Sequence, residues 1–261
     1  MSATVSNFYY GATTPIAAYL MACLGAALGL RCTTRSLRRR ERRAGWLALG
    51  AVSIGCGIWT MHFVGMIGFN IQGALVSYDT GLTLASLAVA IVVVALGVFI
   101  VGYRGAAPAN LAVAGVITGL GVAAMHYLGM AAMRVHGTLR YSTPIVVVSV
   151  VIAVVAATAA LWAAVSVRRL WASLGASLVM GVAVTGMHYV GMAAVSVDVT
   201  AGSAPAQSSV ELLSFLLLML AGPLVALLAA AVVVMFDPEM MLADDRADAP
   251  VRRGRRRALA E

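Results

Sequence analysis

Seven stretches of this chain run for roughly 20 residues with almost no charge, the length at which an α-helix crosses the hydrocarbon core of a bilayer. Nothing else limits the possible folds as strongly. A segment in lipid has no water to bond its backbone, and a helix pairs its own N–H and C=O groups along its length. The stretches lie at about 11–30, 45–69, 80–103, 111–133, 144–167, 174–195 and 211–235. Short connections predict sequential antiparallel packing, and the many Gly, Ala, Ser and Thr residues inside the spans suit helices that approach closely in lipid. Composition points the same way. The chain is 62% hydrophobic and 11% charged, where soluble domains average about 45–50% and 25%.

The arginines orient the bundle. All 18 basic residues are arginine, and sixteen of them fall on one side: the first loop (Arg31, Arg35, Arg38, Arg39, Arg40, Arg42, Arg43), two further loops (Arg104, Arg168, Arg169) and the C-terminal tail. Only Arg134 and Arg140 fall on the other. Positive loops stay inside, so the expected protein is a multi-pass protein of the bacterial inner membrane with its N-terminus outside and its C-terminus cytoplasmic. The expected division is a short outer segment at 1–10, a membrane domain at 11–235 and an Arg-rich tail at 236–261. The tail's RRGRRR run is explained by inside anchoring and by attraction to anionic lipid, so no nucleic-acid partner is expected. Cys23, Cys32 and Cys56 form no CxxC pair, and within apolar spans they read as small buried hydrophobes. No secretory leader is evident, because the first apolar run lacks a basic segment before it.

A motif recurs inside the spans. Met61-His62-Phe63-Val64-Gly65-Met66 lies in the second, Met125-His126-Tyr127-Leu128-Gly129-Met130 in the fourth and Met187-His188-Tyr189-Val190-Gly191-Met192 in the sixth. The histidines are 64 and 62 residues apart, and a glycine stands six positions before each motif, at Gly55, Gly119 and Gly181. The expected fold is therefore all-α: a polytopic bundle of seven transmembrane helices with a threefold two-helix repeat. Each unit reads as a motif helix followed by a return helix, with the first helix left over. Two crossings separate successive motifs, so all three face the same side and their imidazoles form one layer in the outer half of the bilayer.

The spacing has chemical content. At about 100° per residue, a His and the Met four positions later are about 40° apart and one turn separated. His62 with Met66, His126 with Met130 and His188 with Met192 can each face one cavity. Met61, Met125 and Met187 point about 100° away from their histidines. Gly65, Gly129 and Gly191 leave room for a close neighbour. Intramembrane ionisable groups are costly and default to function. Soft thioethers favour copper(I), and imidazole suits copper, zinc, iron and nickel, so the mixture favours copper. Phe63, Tyr127 and Tyr189 read as interfacial anchors, with a supporting hydrogen bond open to the two tyrosines. His136, in an outer loop, is a further candidate ligand.

At these motifs the sequence resembles the MHYT domain family of bacterial integral membrane proteins, over about residues 10–235. The resemblance implies copper held by His62, His126 and His188 near the outer face, and adds Met61, Met125 and Met187 from the name-giving Met-His pair. It implies detection of a diatomic gas such as NO, O₂ or CO, in a family often fused to cyclic-di-GMP domains. The fourth motif position is Val64, Leu128 and Val190 here, never threonine. No output domain follows the membrane part, so a separate cytoplasmic signalling partner is expected. The expected function is a copper-dependent sensor of such a gas or of redox state; a haem protein and a copper carrier or transporter are the alternatives. No general base or nucleophile recurs with the motifs, so an enzyme is not expected.

Overall fold

The structure, a computed structural model, describes residues 5–6, 9–38, 40–71, 76–135, 137–167, 169–199 and 209–236; His136, Arg39, Arg168 and the arginine-rich tail lie outside the described residues. Helix boundaries follow local chemistry. The Asp79 carboxylate caps α3 (Thr80–Arg104) by accepting from the Leu82 N–H at 2.9 Å, a standard use of a short acidic side chain. Gly105, at φ 80°, ends that helix while its N–H donates to the Val101 carbonyl, a conformation glycine adopts without penalty. Pro108 and Pro144 stand in the first turns of α4 (Pro108–Ala132) and α5 (Thr143–Ser166), where the missing N–H costs nothing. The remaining helices are α1 (Thr13–Arg38), α2 (Arg43–Ile67), α6 (Leu170–Ala193) and α7 (Ser209–Met235). All seven are long and apolar enough to cross a membrane, and the chain is a multi-pass membrane protein.

Helices α1 to α6 form a closed ring. Each packs on the next in sequence, α6 returns to α1, and α7 lies outside against α2 and α1. Glycines set the close approaches. A Cβ on Gly55 would come within 3.0 Å of Ile91 on α3; on Gly119, of Val154 on α5; on Gly181, of Cys23 on α1. Each motif helix thus nests into the non-motif helix that follows it around the ring, an order with threefold character.

Short antiparallel strands close one end. β1 (Val5–Ser6) pairs with β2 (Asn70–Ile71), β3 (Val76–Tyr78) with β4 (Met133–Val135), and β5 (Gly137–Tyr141) with β6 (Val195–Val199). In the longest, Leu139 stands opposite Val197 and Tyr141 opposite Val195. The repeat unit is therefore strand, helix, motif helix, strand, with its two strands paired. The sequence reading paired each motif helix with the helix after it and left the first helix over. Strand pairing groups each motif helix with the helix before it and leaves α7 over, so the same period admits both divisions. Repeated motifs fix the period of a repeat but not where each unit begins.

The other end carries the arginines. α1 runs two turns past the apolar run, through Arg31, Arg35 and Arg38, because arginine is a good helix former and loss of apolarity marks the edge of lipid rather than the end of a helix. Arg35 donates to the Val234 carbonyl at 2.8 Å, satisfying the C-terminal turn of α7, and its guanidinium stacks 5.0 Å from the Trp46 ring centre. At the strand end, Arg134 pairs with Asp79 at 2.6 Å and Arg140 with Asp198 at 2.7 Å. The two arginines that depart from the one-sided distribution are thus charge-matched. The Leu82 N–H and the Arg134 guanidinium hold the Asp79 carboxyl below its ordinary value.

Candidate metal centre

Helices α2, α4 and α6 alternate around the ring, and each brings one histidine to its axis. His62, His126 and His188 are all about 1% exposed. Their Nδ1 atoms face one another: 3.1 Å from His62 to His188, 3.1 Å from His126 to His62 and 3.3 Å from His188 to His126. The rings stand nearly perpendicular in pairs, with centres 4.9, 5.0 and 5.2 Å apart.

The opposite edge of each imidazole rests on a glycine of another motif. The Nε2 of His188 abuts Gly65, that of His62 abuts Gly129 and that of His126 abuts Gly191; a Cβ at any of these glycines would stand closer than 3.0 Å to that nitrogen. The sequence left room here for a neighbouring helix, and the neighbour is an imidazole. The relation is cyclic, because each motif supplies a histidine to one partner and a seat to the other. The ring edge also meets the next motif residue: Phe63, Tyr127 and Tyr189 lie edge-on to their histidines at 4.8, 4.8 and 4.9 Å.

Three buried neutral imidazoles cannot satisfy one another in this arrangement. Each Nδ1 carries either a proton or a lone pair. Around a triangle at least one edge must set lone pair against lone pair, or proton against proton. None of the three Nε2 atoms has a hydrogen-bond partner, and buried polar atoms are normally paired. A cation that takes all three lone pairs removes the conflict at the centre. The geometry fits one: metal–imidazole bonds of about 2.0–2.1 Å in a tetrahedral site place nitrogens about 3.3–3.4 Å apart, against 3.1–3.3 Å here. The three side chains form a cluster with metal-ligand spacing.

The methionines divide into two layers. Met66, Met130 and Met192, one helical turn beyond the histidines, are buried together with Phe69 and the strand residues Ile71, Met133, Val195 and Val197, a plug at the strand end. Met61, Met125 and Met187 belong to the main helix core with Trp59 and Phe63. His136 lies outside the described residues.

Phe63 is fully buried against Trp59, 4.4 Å between ring centres, so it is packing rather than the interfacial anchor its sequence position suggested. The hydrogen bond open to a motif tyrosine exists at Tyr127, whose hydroxyl meets Ser149 Oγ at 2.6 Å. From α2 to α3, Trp59 Nε1 donates to Ser86 Oγ at 2.9 Å. Sequence reasoning missed both serines, though they are 63 residues apart, close to the spacing of the motifs.

Comparison with known proteins gives a consistent family. The MHYT pattern, described as a bacterial signalling protein N-terminal repeat, matches residues 55–114 and 119–177. The bifunctional diguanylate cyclase/cyclic di-GMP phosphodiesterase MucR of Pseudomonas aeruginosa is 35% identical over 181 residues, 67% of this chain and 26% of that protein. The cyclic di-GMP phosphodiesterase NbdA of the same organism is 36% identical over 205 residues, 76% of this chain and 26% of its own length. The chain thus spans about a quarter of the length of these relatives. No solved structure matches.

Proposed function

Because this membrane domain belongs to the MHYT family of bacterial signalling repeats, we propose that it is a sensor built on one copper ion held by the Nδ1 atoms of His62, His126 and His188. The single observation that carries the reading is the Nδ1 triangle with edges of 3.1–3.3 Å. Of the two methionine sets, Met66, Met130 and Met192 are the favoured additional ligands, since they pack as a layer next to the ring. Met61, Met125 and Met187, which the family motif suggests, are packed in the helix core and serve as support. The thioether layer makes copper the favoured metal over zinc.

Bound copper supplies a redox-active centre able to take a diatomic gas, NO, O₂ or CO. The protein supplies the rest. Glycine seats fix each imidazole, the methionine plug excludes water, and the three motif helices meet at the ring, so a change there moves α2, α4 and α6 relative to one another. The arginine end faces the cytoplasm in this reading, with the N-terminus outside, and the signal passes to a cytoplasmic partner. The printed names of both relatives concern cyclic di-GMP, which makes turnover of that nucleotide the proposed output. The domain itself acts as a receiver and not as an enzyme.

Two other readings fit the geometry less well. Axial haem ligation needs two imidazoles on opposite sides of a porphyrin-wide slot, and here the rings touch. A copper carrier needs ligands along the crossing path, and the next turn toward the arginine end is aliphatic, with Ile58, Val122 and Val184. The test is metal analysis of protein purified after copper-replete expression. The expected result is one copper per chain, lost on His62→Ala, with spectra that change on adding NO or CO. Protein without stoichiometric copper, or copper indifferent to His62→Ala, sinks the proposal.

A further inference from the structure

We propose that the chain holds a dry docking site for a single apolar gas molecule, immediately to the arginine side of the histidine ring. Ile58, Val122 and Val184 each precede a motif histidine by four residues, about one helical turn or 6 Å of rise. Ile54, Thr118 and Met180 stand one further turn away. All six line one cavity of about 50 Å³. Equivalent residues of the three motif helices bound it one turn below the histidines, and Val94 and Val98 of α3 with five residues of α5 complete the wall, so the cavity extends from between the motif helices toward α5.

Size and chemistry select the guest. The volume exceeds the roughly 10–15 Å³ needed for one water and is far below the roughly 150 Å³ of a cavity that takes benzene. The one lining hydroxyl, Thr118 Oγ1, already donates to the Val93 carbonyl at 3.4 Å. A buried water needs two to four polar partners and does not find them here. An apolar diatomic or a xenon atom loses nothing by entering.

Entry comes from the bilayer. On the strand side, Met66, Met130 and Met192 are at most 2% exposed and close the axis to water. On the flank the wall is α5, where Ala156 and Ala160 are only half-buried and small. Apolar gases are more soluble in hydrocarbon than in water, so the membrane supplies the cavity at its thin side. That the docked gas then meets a metal rests on the function proposed above; docking itself does not.

Xenon is the probe. Full-length protein in lipid nanodiscs, without metal, is equilibrated with xenon and read by xenon-129 saturation-transfer NMR. One saturable site per chain is expected. Val184→Phe should lower its occupancy at least about tenfold by filling the space, and Ile58→Ala should raise it. If Val184→Phe fails to fold, Ala160→Leu fills the same space from the lipid-facing wall. Xenon that only partitions into lipid, or that binds equally in the filled variants, overturns the proposal. In copper-loaded protein, CO association should slow by a similar factor in the filled variant at unchanged copper content, and an unchanged rate overturns the route. Loss of the xenon site with copper content intact refutes the cavity alone. Absence of copper with the xenon site intact refutes the metal centre alone.

Discussion

Gly65→Ala tests the arrangement of the ring more sharply than removal of a histidine. The added Cβ would stand 2.6 Å from His188 Nε2, where ordinary contact begins at 3.4 Å, so the imidazole must withdraw by about 0.8 Å. A side-chain tip can usually swing clear. This one cannot, because its Nδ1 edge already lies 3.1 Å from His62 and 3.3 Å from His126. Overpacking of this kind costs about 1–3 kcal/mol, read as a lowered thermal unfolding midpoint in detergent. Metal sites tolerate about 0.2 Å in ligand distance, and disturbed supporting residues cost about 10–100-fold in affinity. Competition with a chromophoric copper(I) chelator should therefore show a loss in that range. The cyclic seating adds a stricter criterion. His188→Ala opens an imidazole-sized space at Gly65, so in the double variant Gly65→Ala should add almost no further destabilisation. Gly129→Ala, whose Cβ meets His62 instead, should keep most of its cost beside His188→Ala. Matched and mismatched pairs with equal coupling in such a cycle would refute the seating, as would Gly65→Ala with native stability and native affinity.

Three further outcomes are expected. Met66→Leu conserves volume and should cost less than about 1.5 kcal/mol, yet weaken copper(I) binding in the chelator competition, whereas Met61→Leu should leave affinity unchanged; the reverse pattern would return the ligand role to the methionine preceding each histidine. Thr138→Cys should react with a membrane-impermeant maleimide on intact cells and Glu41→Cys only after permeabilisation, since the strands and the arginines lie at opposite ends; the opposite labelling inverts the orientation. The Asp79 carboxyl is held below its ordinary value of 3.8, so its contribution to stability is present at pH above the unfolded value and is lost as pH falls through the folded one. Protection of the β3–β4 amides relative to their intrinsic exchange rate should fall across that acid window, and Asp79→Asn should abolish that fall while keeping part of the cap.

The helices were legible because lipid enforces a simple rule: each crossing needs an unbroken apolar run, and each of the seven runs holds a helix. Their ends were less so. Arg31, Arg35 and Arg38 continue α1 beyond the apolar stretch because a helix does not stop where lipid stops. The strands escaped notice at two to five residues each, although Val195-Ser196-Val197-Asp198-Val199 alternates as an edge strand should. At the site, the equal depth of the histidines followed from the intervals between them. Which glycine seats which imidazole did not follow, because a helical wheel gives angles within one helix and not the hand in which three helices follow one another around an axis.

That hand explains why the repeat has to be threefold. The family pattern matches two copies of the repeat, residues 55–114 and 119–177, and with them the motifs of His62 and His126. His188 lies beyond the match, yet it forms two of the three Nδ1 edges and alone occupies the Gly65 seat. With only two units, one seat would be filled, one imidazole would lie against no glycine, and two nitrogens could settle into a single ordinary hydrogen bond with no electrostatic conflict. The third unit closes the cycle and creates the conflict. Three inward nitrogens cannot all be satisfied by protons, and a metal ion resolves them together. The same closure brings Ile58, Val122 and Val184 to the wall of one cavity. Threefold duplication therefore does more than add a ligand. It converts packing glycines and a tolerable pair of buried histidines into a cluster with the spacing to hold a metal ion.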